Sequence, residues 1–63
     1  MWVLKRIEDG KYVAKPEIVQ MSGHSYTTSV RNAKKFDSKE EAEANSCVEN
    51  EKAIQIDPYD YFK

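Results

Sequence analysis

Asp9-Gly10, set between two runs of β-forming residues, is the feature that most restricts what this chain can become. Both central positions of a type I′ turn need φ > 0, which Asp tolerates and Gly adopts freely. Trp2 to Ile7 reads as a first strand and Lys11 to Lys15 as its return strand. A two-residue loop at Asp9-Gly10 pairs Glu8 with Lys11 and Ile7 with Tyr12, an opposite-charge pair and an apolar pair across the ladder. It sets Val3, Ile7, Tyr12 and Ala14 on one face, and Leu4, Arg6 and Val13 on the other. A three-residue loop with Gly10 in a bulge regroups them. In either register neither face is wholly polar. A lone hairpin is marginal in water, so the remainder of the 63 residues must cover it.

Pro16 ends the return strand, because proline cannot donate to a ladder. Glu17 to Gly23 is mixed in character, and Ser22-Gly23 marks a turn. His24 to Thr28 alternates around Tyr26 as a short third strand, and Ser29 to Ala33 forms a tight turn that delivers Lys34-Lys35-Phe36. The best-specified element follows. Asp37-Ser38 supplies N-cap residue types, and Ser38 with Glu41 fits a capping box. The spacing predicts a helix over 38–48 with Ala44, Cys47 and Val48 as its apolar stripe. Ala53-Ile54-Gln55-Ile56 alternates as a last strand, Pro58 ends it, and 58–63 is an aromatic tail. The expected architecture is one α+β domain over 1–63, in which a small antiparallel sheet packs against a single α-helix. That sheet is the hairpin with one or two further strands. The expected core is Val3, Ile7, Tyr12, Val30, Phe36, Ala44, Cys47, Val48, Ile54 and Ile56.

A chain of this size holds one small core and no second domain. Cys47 has no partner for an internal disulfide, which fits a reducing compartment, and His24 is the only histidine. Met1-Trp2-Val3-Leu4 is the longest apolar stretch, far below the ~20 residues of a membrane span. No secretory signal is expected, since Lys5 and Arg6 follow that stretch. The chain is therefore expected in the cytoplasm, away from membranes.

Candidate chemistry is thin. Ser22-Gly23-His24-Ser25 lacks any spacing that would hold a base against a nucleophile with a third group to orient it. Glu40, Glu41 and Glu43 sit in the first turns of the expected helix, where acids suit the helix dipole, and no histidine joins them at a ligand spacing. Neither Gly10 nor Gly23 opens a phosphate-binding loop. The sequence thus predicts no catalytic, cofactor-binding or metal-binding residues and no small-molecule substrate.

Charge is unevenly laid out. Residues 1–35 carry seven basic and three acidic side chains, and residues 36–63 carry three basic and eight acidic ones. Either the halves neutralise each other or each presents a charged surface.

Three segments together suggest a family. Trp2-Val3-Leu4-Lys5, Asp9-Gly10-Lys11-Tyr12 and Asn32-Ala33-Lys34-Lys35-Phe36-Asp37-Ser38-Lys39-Glu40-Glu41-Ala42 resemble short uncharacterised proteins encoded by bacteriophages and prophages of Gram-positive bacteria. The likeness spans roughly residues 2–57. It implies a mobile-element origin, a bacterial host cytoplasm and a hairpin-plus-helix fold. Several proteins of that size class bind and block host or defence proteins, but no functional residue carries over.

The resulting expectation is a non-enzymatic protein-binding module, a regulator or inhibitor whose partner is another protein or a second copy of itself as a homodimer. Its anchors would be Trp2, Leu4, Tyr59, Tyr61 and Phe62, aromatic and apolar groups in excess of what one short helix hides. Alternatively the tail folds over the open sheet face and completes the core. The other class is a small nucleic-acid-binding accessory protein, using Arg31, Lys34 and Lys35 on phosphates and Tyr26 on a base.

Overall fold

The computed structural model describes residues 1–46 and 49–62. Four antiparallel strands form one sheet in the order β3-β2-β1-β4, comprising β1 (Trp2–Arg6), β2 (Tyr12–Val13), β3 (Tyr26–Thr27) and β4 (Glu51–Gln55). Helices α1 (Pro16–Ser22), α2 (Lys39–Ala44) and α3 (Pro58–Phe62) and a 3₁₀ turn at Val30–Asn32 complete it. The α+β class and antiparallel sheet agree with expectation. Among the described residues the expected single helix becomes three.

The hairpin closes two residues wider than Asp9-Gly10 suggests. Lys5 stands opposite Tyr12, and the Arg6 N–H donates to the Lys11 carbonyl (2.6 Å), which leaves Ile7 to Gly10 as a four-residue loop. Gly10 takes φ +73°, and its N–H donates to the Arg6 carbonyl (2.9 Å). Asp9 Oδ1 accepts the Lys11 N–H (3.0 Å) and the Arg6 Nε–H (3.0 Å), so the carboxylate holds both ends of the loop. Side-chain direction repeats every two residues, so a shift of two keeps every face assignment. Leu4, Arg6 and Val13 still share a face, and so do Val3, Tyr12 and Ala14. Ile7 alone is displaced. It moves from the ladder into the loop and is 59% exposed, which removes it from the core.

The Leu4 face is covered by α2. Ser38 Oγ accepts the Glu41 N–H (3.1 Å), the N-terminal half of the expected capping box. With that cap in place, Ala42 points inward and joins Leu4 and Phe36 in the core, with Trp2, Val13 and Ala53 packed against them. Ala44, nearly half a turn round the helix from Ala42, is exposed rather than buried. Cys47 and Val48 lie outside the described residues. On the other face Val3 and Ala14 are buried, as Phe36 is on the first, while Tyr12, Val30, Ile54 and Ile56 are half-buried.

Strands β1 and β2 splay apart, and residues 32–36 fill the gap between them. Trp2 and Phe36 exchange both backbone hydrogen bonds (3.0 and 2.7 Å). Beside them the Lys15 N–H donates to the Asn32 carbonyl (2.9 Å), and the Lys34 N–H to the Val13 carbonyl (2.9 Å), around an Ala14–Ala33 bridge. This inserted segment ties both strands to the chain leading into α2.

Both prolines open helices. Pro16 is the first residue of α1, where a missing N–H costs nothing, and Gly23 closes that helix in the left-handed conformation (φ +75°). Pro58 starts α3 after Asp57, whose Oδ1 accepts the Tyr59 N–H (2.8 Å) as an N-cap. The expected aromatic tail is therefore helical. It turns Tyr61 inward, where the side chain is 4% exposed and its hydroxyl donates to the Ala33 carbonyl (3.1 Å).

Candidate functional site

Pairing of residues 13–15 with 32–34 gathers basic side chains that are far apart in sequence. Lys15 ends one segment, Lys34 and Lys35 end the other, and together with Pro16, Glu17 and Tyr61 they line a cavity of about 310 Å³. The Tyr61 ring is the aromatic wall of this cleft. The Lys15 ammonium lies 5.3 Å from its centroid and the Lys35 ammonium 5.9 Å, both within cation–π range. Lys34 sits over the Phe36 ring at 5.3 Å. The Lys15 and Lys35 ammonium groups flank the Tyr61 ring, Lys34 joins them in the lining, and Glu17 is the single acid there. Such groups act as point charges with rotatable donors, suited to a carboxylate or phosphate.

A second polar cluster sits at the loop end of the hairpin. Arg6 pairs with Asp9, and its guanidinium carbon lies 4.1 Å from the Tyr26 ring centroid. The Tyr26 hydroxyl donates to Glu51, a buried carboxylate. A cavity of about 310 Å³ adjoins it, lined by Arg6, Ile7, Glu8, Tyr26, Glu49 and Asn50. These charges are engaged with one another, so the cluster fastens the loop and β3 to β4. The Arg6 side chain, followed by the Lys11 N–H, holds the Asp9 carboxyl well below the usual carboxylate range. The same contact raises Arg6 above its ordinary value.

A depressed folded-state value means that the pair stabilises the fold at any pH above the unfolded Asp value near 4. The contribution is lost as pH falls below that. Between about pH 5 and pH 2 the parent protein should therefore lose more melting temperature than an Asp9→Asn variant, in which this residue cannot titrate. Parallel curves for the two proteins would remove Asp9 from the acid transition.

The residues expected at a protein interface are dispersed. Leu4 is fully buried and Tyr61 nearly so, which takes both away from any flat external patch. Trp2 is half-buried against the core, Tyr59 is 73% exposed on α3, and the Phe62 side chain lies outside the described part of the structure. The nucleic-acid set separates as well. Lys34 and Lys35 meet in the lysine cleft, Arg31 is exposed on the 3₁₀ turn, and Tyr26 lies beneath Arg6 in the other cluster. Sequence reasoning missed Lys15 and Tyr61 as neighbours of Lys34 and Lys35. No periodicity could have supplied that contact, because it depends on pairing between segments about twenty residues apart.

His24 is exposed after α1, where its N–H donates to Ser22 Oγ (3.1 Å). Among the described residues no three His, Cys, Asp or Glu side chains come together as a metal set. None of the helices described is long and apolar enough to cross a membrane. No family model, curated protein or solved structure matches this chain.

Proposed function

We propose that the protein is a non-catalytic binding module that docks an acidic segment of another protein in the cleft of Lys15, Lys34, Lys35 and Tyr61. The convergence of Lys15, Lys34 and Lys35 on one cleft, two of them against the Tyr61 ring, carries this reading. An acidic side chain can meet the ammonium groups while its stem, or an apolar neighbour, lies on Pro16 and the methylene stems of the lysines. The cleft has room for a side chain or two, not for a track of successive phosphates.

The aromatic geometry favours a protein over a nucleic acid. Base stacking needs an open ring face, and the Tyr26, Tyr12 and Tyr61 rings each have a cation above them. The acids Glu40, Glu41 and Glu43 on α2 also oppose a polyanion. The resemblance to short phage and prophage proteins supplies a setting. There the partner is a host or defence protein in the bacterial cytoplasm, and the effect is inhibitory or regulatory.

The test uses two fluorescent probes, an acidic peptide of alternating Glu and Tyr and a single-stranded oligonucleotide. The parent protein should bind the peptide, and reversing Lys15, Lys34 and Lys35 to Glu should weaken it at least tenfold, or about 1.4 kcal/mol. The same triple variant, used beside the parent as bait in host extract, should lose the partner that mass spectrometry identifies. Oligonucleotide binding that falls steeply with salt, without peptide binding, would replace this reading with the nucleic-acid one.

A further inference from the structure

Backbone register sets two ammonium groups of the lysine cleft side by side. Around the Ala14–Ala33 bridge the Lys15 N–H donates to the Asn32 carbonyl and the Lys34 N–H to the Val13 carbonyl. Lys15 and Lys34 are therefore diagonal neighbours on one face of the pairing. Such neighbours stand roughly 7–8 Å apart, a gap that long side chains close. Both line the cleft.

Each of these ammonium groups is held by a ring and not by a carboxylate. Lys15 lies 5.3 Å from the Tyr61 centroid, and Lys34 lies 5.3 Å from that of Phe36. A ring quadrupole attracts a cation but carries no net charge, so it places the ammonium and leaves its charge in force. Arg6 is the contrast, because it stacks on Tyr26 and is also neutralised by Asp9. Among the described residues neither Lys15 nor Lys34 has such a carboxylate. Even Glu17, exposed in the same lining, is beyond ion-pair distance of both.

We infer that the anchor taken by this cleft is a phosphorylated side chain, which rests on the reading that the cleft docks a segment of another protein. A carboxylate carries one negative charge, so it answers one of the two cations. A phosphomonoester carries about −1.5 to −2 at pH 7 and three acceptor oxygens, so one group answers both. Lysine meets phosphate as a point charge with rotatable donors and needs no fixed fork geometry. Pro16 and the lysine stems offer apolar surface to the carbon atoms that link the phosphate to its backbone.

The acidic probe of alternating Glu and Tyr tests this on the full chain, with one central Glu replaced by phosphoserine or one Tyr by phosphotyrosine. At pH 7.5 one of the phosphorylated probes should bind about fivefold tighter than the parent probe, the effect of one extra charge at close range. Which of the two does so identifies the phosphorylated residue. Phosphate loses its second charge near pH 6, so at pH 5.5 most of that advantage should disappear. The parent probe, measured over the same range, reports any titration of the protein itself. Lys15→Gln and Lys34→Gln should each reduce the advantage, and Glu17→Gln should increase it. The pH series uses the unaltered protein, so it stands even if a lysine variant melts early. Equal binding of phosphorylated and parent probes at pH 7.5 would overturn this inference and leave the acidic-segment reading in place. No binding of any probe would remove both. Inorganic phosphate that displaces the phosphorylated probe at equal concentration would assign the cleft to free phosphate instead.

Discussion

Leu4→Ala is expected to remove about 3 kcal/mol of stability, the largest loss from any single truncation in this chain. Leu4 is fully buried on the central strand of the sheet and packs with Phe36 and Ala42, the contacts through which α2 is held. Removing its branched end leaves a cavity that little can fill. Ala42 has no atoms to extend, Phe36 is fixed by its backbone bonds to Trp2, and β1 is paired on both sides. A small domain holds on the order of 5 kcal/mol in all, so a loss of this size lowers the melting temperature by roughly 15 °C. Denaturant titration measures it directly. A loss below about 1 kcal/mol would mean that the α2 face of the sheet is not the principal core.

Tyr61→Ala should cost nearly as much, about 3 kcal/mol, although the residue lies two places from the end of the chain. The side chain is buried and its hydroxyl donates to the Ala33 carbonyl, in the segment that closes the gap between β1 and β2. Tyr61→Phe separates the two contributions, because losing the hydrogen bond alone costs about 1 kcal/mol. Tyr59→Ala is the internal control. That ring is 73% exposed, and its removal should stay within about 0.5 kcal/mol. Deleting 59–63 should match Tyr61→Ala in lowering the melting temperature. If Tyr61→Ala and Tyr59→Ala melt alike, α3 is an appendage and the wall of the lysine cleft is not built into the fold. The lysine-reversal variant then acquires a second use, because Lys15 and Lys35 flank the Tyr61 ring. Loss of peptide binding with melting unchanged assigns those charges to recognition and not to support.

Several expectations rested on signals that are strictly local, and these agree with the structure. Gly10 takes the left-handed conformation its turn requires, and Ser38 caps α2 through the Glu41 N–H. The alternation of the Leu4 and Val3 faces survives a change of loop length, because a shift of two residues leaves side-chain direction unchanged. The position of Ile7 did not survive, since loop length depends on how Asp9 shares its oxygens between Arg6 and Lys11.

Proline was ambiguous for a physical reason. A residue without an N–H both stops a ladder and suits the first turn of a helix. Reading Pro16 and Pro58 only as strand ends concealed α1 and α3. Gly23 seven residues after Pro16, and Asp57 just before Pro58, were the signals that distinguish the two roles.

By itself, then, the sequence determined the α+β class, the hairpin with its two faces, and the start of α2. In each case the deciding interaction spans a few residues. Only the tertiary structure decided that 32–36 lies between β1 and β2, that Tyr61 is core, and that Lys15 meets Lys34 and Lys35. Those contacts join segments about twenty or more residues apart. Loop closure penalises many such pairings to a similar degree, and the choice among them comes from how the whole chain buries its apolar surface.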